Sequence, residues 1–196
     1  MPAALPNLLD VQPYTPARAH TQEIQDLGLQ VTCLTPGNVI LTTLPDELSC
    51  HRVVDIGYHG VLKEGEPFDT ALKFHDKDCL TILDVVRLRL STCEFAFLPG
   101  SHTAELTQGS IPDEALHIAA AMQHSGFRSV IGSMWETVDG DGQTLAKDVY
   151  LSMFSGDDRK VPYYERLAGA LRDAVQKMRE REVSLVQWVN FVHFGV

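Results

Sequence analysis

A histidine, a glycine and a cysteine give this 196-residue sequence its clearest route to chemistry. His59 and Gly60 close the apolar run "VVDIGYHG", and Cys93 closes "RLRLSTC". A thiol deprotonated by an imidazole is a nucleophile, and the imidazolium so formed can protonate a leaving amine. Gly60 would let a substrate carbonyl approach its N–H, and that N–H with the one of Cys93 could make an oxyanion hole. On residue types alone two readings stand: a Cys93–His59 dyad, or a small buried hydrophobe beside a structural histidine. Arg87 and Arg89 are open in the same way. They could favour thiolate at Cys93 or form a solvated strand edge.

The other constellations are weaker. Cys33, Cys50, Cys79 and Cys93 contain no CxxC pair. His51 beside Cys50 and His75 near Cys79 lack the paired spacing of a structural zinc site, so no metal and no cofactor is expected. Asp139 and Asp141 in "DGDG" resemble the start of a calcium loop, but the glutamate that should follow is missing, and helix capping is the better reading. Neither a phosphate-binding glycine loop nor "GxSxG" occurs, which removes a serine-hydrolase elbow. His117 and His124 lie seven apart with no carboxylate partner and read as surface or rim. Trp135 ends an apolar strand, where it could wall a substrate pocket or simply fill core.

Charge narrows the partners. Sixteen basic against 26 acidic residues give a net charge of −10, the wrong sign for nucleic acid or an anionic membrane. No apolar run reaches the roughly 18 residues of a membrane span. The first residues lack the pattern of a signal peptide. A cytoplasmic chain with reduced thiols is expected.

The elements that must position these groups follow from periodicity. Pro2, Pro6, Pro13 and Pro16 predict an N-terminal arm or loop over residues 1–17, with one domain over 18–196. A helix is expected over 18–28, a short strand in "LQVTCL", a short helix in "TPGNVILTTL" and a strand in "HRVVDIGYHG". "PFDTALKF" reads as a strand or hairpin arm. Alternation of Val86, Leu88 and Leu90 predicts a strand over 85–92. A central strand there would lose roughly 2–5 kcal/mol on Leu88→Ala. A polar loop over 100–109 precedes a helix over 110–126, marked by the Ser110/Asp113 capping spacing and by Gly126. "FRSVIGSMW" reads as a buried strand, 142–154 as a helix, Pro162 as the start of a longer one, and "LVQWVNFVHF" as a last strand. Strands alternating with helices predict an α/β fold, a three-layer sandwich with a mainly parallel sheet and helices on both faces. Reactive groups in such sheets gather at the carboxyl ends of strands. On this reading both His59 and Cys93 stand there.

In order, "VVDIGYHG", "LSTCEF", "PDEALHIAAAMQHSGFRSVIGSMWETVD" and "WVNFVHFG" resemble the CHAT domain over about residues 20–196. This is a caspase-like module often joined to tetratricopeptide repeats, and the wording is closest to its fungal versions. The resemblance implies the fold of caspases, separases and gingipains. It also implies endopeptidase cleavage of a polypeptide substrate through a thioester, under control of a tetratricopeptide-repeat or other regulatory partner. His59 matches the family's base, Cys93 its nucleophile and Gly60 its oxyanion glycine. Asp55 stands where the family often has a second histidine, and a charge there could orient His59 or border the substrate pocket with Trp135. A connecting helix before "STCEF" and the family's first strand are missing from the expected pattern. These gaps keep a second reading open, a catalytically inactive CHAT-like interaction or regulatory domain.

Overall fold

Six apolar runs pair side by side in the computed structural model, which describes residues 6–11, 22, 24–35, 42–58, 60–61, 63, 66–75, 78–100, 117–154 and 163–195. In spatial order they are Gln30–Leu34 (β2), Asn7–Val11 (β1), Val53–Ile56 (β3), Phe95–Leu98 (β7), Ser129–Ser133 (β8) and Phe191–Gly195 (β9). The first five run parallel, and β9 pairs antiparallel with β8. Gly60–Val61 (β4), Ala71–His75 (β5) and Asp78–Thr81 (β6) form a second, antiparallel sheet within the crossover from β3 to β7. Every residue of β3, β7 and β8 is buried, as expected for parallel strands covered on both faces.

Alternation along the strands builds two cores. Leu9, Val54, Ile56, Ala96, Leu98 and Val130 face the helices Leu44–Cys50 (α1), Ile82–Arg87 (α2) and Ile118–Ser125 (α3). Leu8, Val53, Phe95, Phe97 and Ile131 face Asp139–Phe154 (α4) and Tyr163–Glu180 (α5). The stripe Leu167, Leu171, Ala174 and Met178 has the helical period and gives α5 its buried side. A short helix, Leu185–Trp188 (α6), leads into β9. The sheet with helices on both faces is the three-layer α/β architecture read from the sequence.

Several expectations are corrected. β1 lies inside the segment expected to be an arm, and Leu8, Leu9 and Val11 have no exposed surface. The family's first strand is therefore present. The segment expected as a strand over 85–92 is instead the end of α2 followed by an extended connector. Thr81 explains the difference: its hydroxyl accepts from the Asp84 N–H at 3.1 Å, while Asp84 Oδ2 accepts from the Thr81 N–H at 3.1 Å. This reciprocal box starts a helix and overrides the alternation that follows it. The last expected strand divides into α6 and β9. The Ser110/Asp113 cap lies outside the described residues, and α3 is capped by His117 instead. Its Nδ1 accepts from the Ala120 N–H at 3.0 Å, and its ring stands 4.6 Å from that of Phe194. His117 is therefore buried, not at a rim.

Candidate active-site edge

The carboxyl ends of β3, β7 and β8 lie side by side, because the parallel register pairs Val53 with Phe95 and Phe95 with Ser129. Beyond β3 the Gly57 N–H donates to Val11 O at 2.9 Å. Tyr58 then packs against Phe74, ring centres 4.5 Å apart. Gly60 pairs opposite Leu72 in the second sheet. His59, between them in the sequence, lies outside the described residues, so the expected base is not among the placed side chains. Beyond β7 come Pro99 and Gly100, and the Ser133 hydroxyl donates to Gly100 O, tying the tips of β7 and β8 together.

Asn190, fully buried, holds the loop after β8. Its Oδ1 accepts from the N–H groups of Met134 and Trp135, both at 2.8 Å. Its Nδ2 donates to Trp135 O at 3.0 Å and to Thr137 Oγ1 at 3.1 Å. All the hydrogen-bonding groups of one amide are thus spent on one turn, which fixes Trp135 at the edge of the sheet. The Trp135 indole N–H donates to Val186 O at 2.9 Å, and its ring is half-buried. Asn190 escaped the sequence reading. Its one signal there is a lone amide inside the apolar run "WVNFVHF".

Cys93 stands at the other end of the sheet. It precedes the amino end of β7, two residues before Phe95, level with His51 ahead of β3. The Cys93 S–H donates to Leu48 O at 3.3 Å and His51 O at 3.4 Å, carbonyls at the carboxyl end of α1 and just past it. Its exposure is 2%. Burial pushes its pKa up to about 11, opposed in part by a hydrogen bond with Thr92. β3 itself rises by about 10 Å at ~3.3 Å per residue; Cys93 is level with a position ahead of its start, and Tyr58 lies two residues past its end. The described residues thus place Cys93 at the amino end of β7, while the position of the His59 side chain lies outside them. The connector from α2 reaches β7 at its amino end, and Cys93 belongs to that connector rather than to the strand tip.

Asp55 is also corrected. It is 1% exposed, on the face covered by α4, and its Oδ2 accepts from the Tyr150 hydroxyl at 3.0 Å. Burial first, then the charges of Asp55 and Asp10, hold the Tyr150 pKa well above the usual range, so the phenol stays a donor. This carboxylate is fixed inside the sandwich and does not border the edge. Arg87 and Arg89 are exposed, which leaves them as a solvated rim. Cys33, Cys50 and Cys79 lie on β2, at the end of α1 and on β6. Among the described residues no three His, Cys, Asp or Glu side chains gather as a metal-binding group, and no helix is long and apolar enough to cross a membrane.

Layers, strand order and edge together define a caspase-like α/β domain of the type built around a mainly parallel sheet. The same fold occurs in the Saccharomyces cerevisiae separase–securin complex (TM-score 0.66, 13% identity, 97% of this chain, 12% of that one). It also occurs in the Arg-specific cysteine proteinase gingipain R (TM-score 0.67, 13% identity, 96% of this chain, 45% of that one). A complex of Porphyromonas gingivalis RgpB pro- and mature domains matches likewise (TM-score 0.67, 11% identity, 96% and 46%). The chain thus spans an eighth to under half of these proteins. Among curated proteins none matches it closely enough to count as a relative. The CHAT domain family model matches residues 8–196, and the chain belongs to the CHAT domain family.

Proposed function

We propose that this CHAT domain engages polypeptide at the carboxyl edge of its sheet, between Tyr58 after β3 and the Asn190-held loop around Trp135. We propose further that it does so without Cys93 as a nucleophile. One observation carries the reading: the Cys93 sulfur is buried at the opposite end of the sheet, donating to two backbone carbonyls. A regulatory or interaction role fits this arrangement, since a peptidase-type fold retains its binding edge when the thiol is withdrawn.

Cleavage is the second reading. Family membership and the fold shared with gingipain and separase favour it, and so does the His59-Gly60 pair. It requires His59 to be served by a group other than Cys93. The segment after Gly100, residues 101–116, contains hydroxyls at Ser101, Thr103, Thr107 and Ser110 but no cysteine. The test uses quenched fluorescent peptide libraries with the wild-type chain and its Cys93→Ala and His59→Ala variants. The expected result is binding that Cys93→Ala leaves unchanged and His59→Ala weakens. Hydrolysis abolished by Cys93→Ala would overturn the proposal. Hydrolysis abolished by His59→Ala alone would establish the second reading.

A further inference from the structure

β9 is the last strand of the six-stranded sheet, and among the described residues no strand pairs with its outer edge. Beside it runs a groove of about 400 Å³ between α5, α6 and β9. Leu171, Val175, Trp188 and Phe191 give it an apolar floor, and Arg172 and Arg179 line it as well. None of the residues lining it is acidic. Arg172 shares its charge with Asp173 at 2.7 Å. The Arg179 guanidinium lies 5.2 Å over the Trp188 ring. Such stacking uses the face of a guanidinium, so its in-plane N–H groups can still meet a carboxylate. The apolar surface continues onto α6, where Leu185 is 59% and Val186 57% exposed, and to Val189 at 45%. A continuous apolar surface of this kind on a soluble chain marks an interaction site.

The charge of the occupant follows from the charge of the groove. The chain carries −10, so an acidic segment is repelled over most of the surface and attracted where arginines line a groove that has no acidic residue in its lining. Its conformation follows from the edge, whose backbone N–H and C=O groups form a template for one more strand. Alternate side chains of such a strand point to one face and would enter the groove. We propose that the outer edge of β9 and the adjoining groove bind an extended segment of another protein in which apolar and acidic residues alternate. The apolar side chains fill the floor between Val175, Trp188 and Phe191, and a carboxylate meets Arg179. This surface is separate from the edge near Tyr58–Gly60 and does not depend on the reading of that edge.

The test uses the full chain and fluorescent peptides of about eight residues alternating Glu and Val, with a Lys–Val counterpart. Two further Glu–Val peptides carry N-methyl groups on odd or on even amides. The Glu–Val peptide is expected to bind and to protect amides of Phe191–Gly195 from hydrogen exchange. One N-methyl pattern should abolish binding and the other leave it, because only alternate amides face β9. Arg179 is exposed, so Arg179→Glu leaves folding intact and is expected to weaken the Glu–Val peptide at least about tenfold while admitting the Lys–Val one. Equal binding of both N-methylated peptides, or protection of Tyr58–Val61 in place of β9, would overturn the proposal. So would a dimer of the chain itself that Arg179→Glu dissolves, since the occupant would then be a second copy.

Discussion

At the scale of single residues, environment decides what a side chain can do. A thiol with a pKa of about 11 is thiolate in only about one molecule in ten thousand at pH 7. Its S–H also donates to the carbonyls of Leu48 and His51. Iodoacetamide at pH 7.5 is therefore expected to label the exposed Cys33 and Cys50 well before Cys93, followed by mass spectrometry of timed samples. Labelling of Cys93 at the rate of Cys50 would show that the sulfur opens to solvent in the native state. His117 carries a second prediction. Burial holds its pKa below the ordinary 6.5, and the same is true of His193. As pH falls through about 6.5 the unfolded chain takes up protons that the native state resists, so this stability is complete above that value and lost below it. His117→Asn keeps an acceptor for the Ala120 N–H and removes the titration. Its urea midpoint should fall less between pH 7.5 and 5.5 than that of the wild type.

At the scale of elements, caps and clamps outweigh hydrophobic alternation. Thr81→Ala removes the box that starts α2 and should cost about 1 kcal/mol in a denaturant melt. Leu88 follows that helix and is only half-buried, so Leu88→Ala should cost about 1 kcal/mol, below the value for a central strand. Asn190→Ala removes the side-chain acceptor of the Trp135 N–H and the amide donor to Trp135 O, while the Met134 N–H keeps the backbone carbonyl of residue 190. A loss of roughly 3 kcal/mol is expected, with a red-shifted Trp fluorescence as the loop after β8 loosens. The sequence already held the Thr81–Asp84 spacing in "TILD", and a reading that ranked caps above period two would have found α2. The β-branched pairs Val53–Val54 in β3 and Val130–Ile131 in β8 were legible because burial on both faces favours such residues. The place of Cys93 was not legible. Whether a cysteine before "EFAFL" ends one strand or precedes the next depends on where pairing with Val53 begins, and that is a long-range fact.

At the scale of the whole molecule, the sheet joins parts far apart in the sequence, with β1 paired to β3 and β8 to β9. The four prolines near the start suggested a loose arm because turn residues are read locally. The five residues of β1 lie between two of them and are fixed by partners that arrive later in the chain. A chain beginning at residue 12 is expected to lose its cooperative thermal transition, monitored by circular dichroism, because β2 and β3 would face a gap where their shared neighbour stood. The same placement has a mechanical side. A pulling force applied at Asn7 acts directly on a strand that has a parallel neighbour on each side. Loaded there, the sheet would have to break the ladders to β2 and β3 together instead of shedding an edge strand alone.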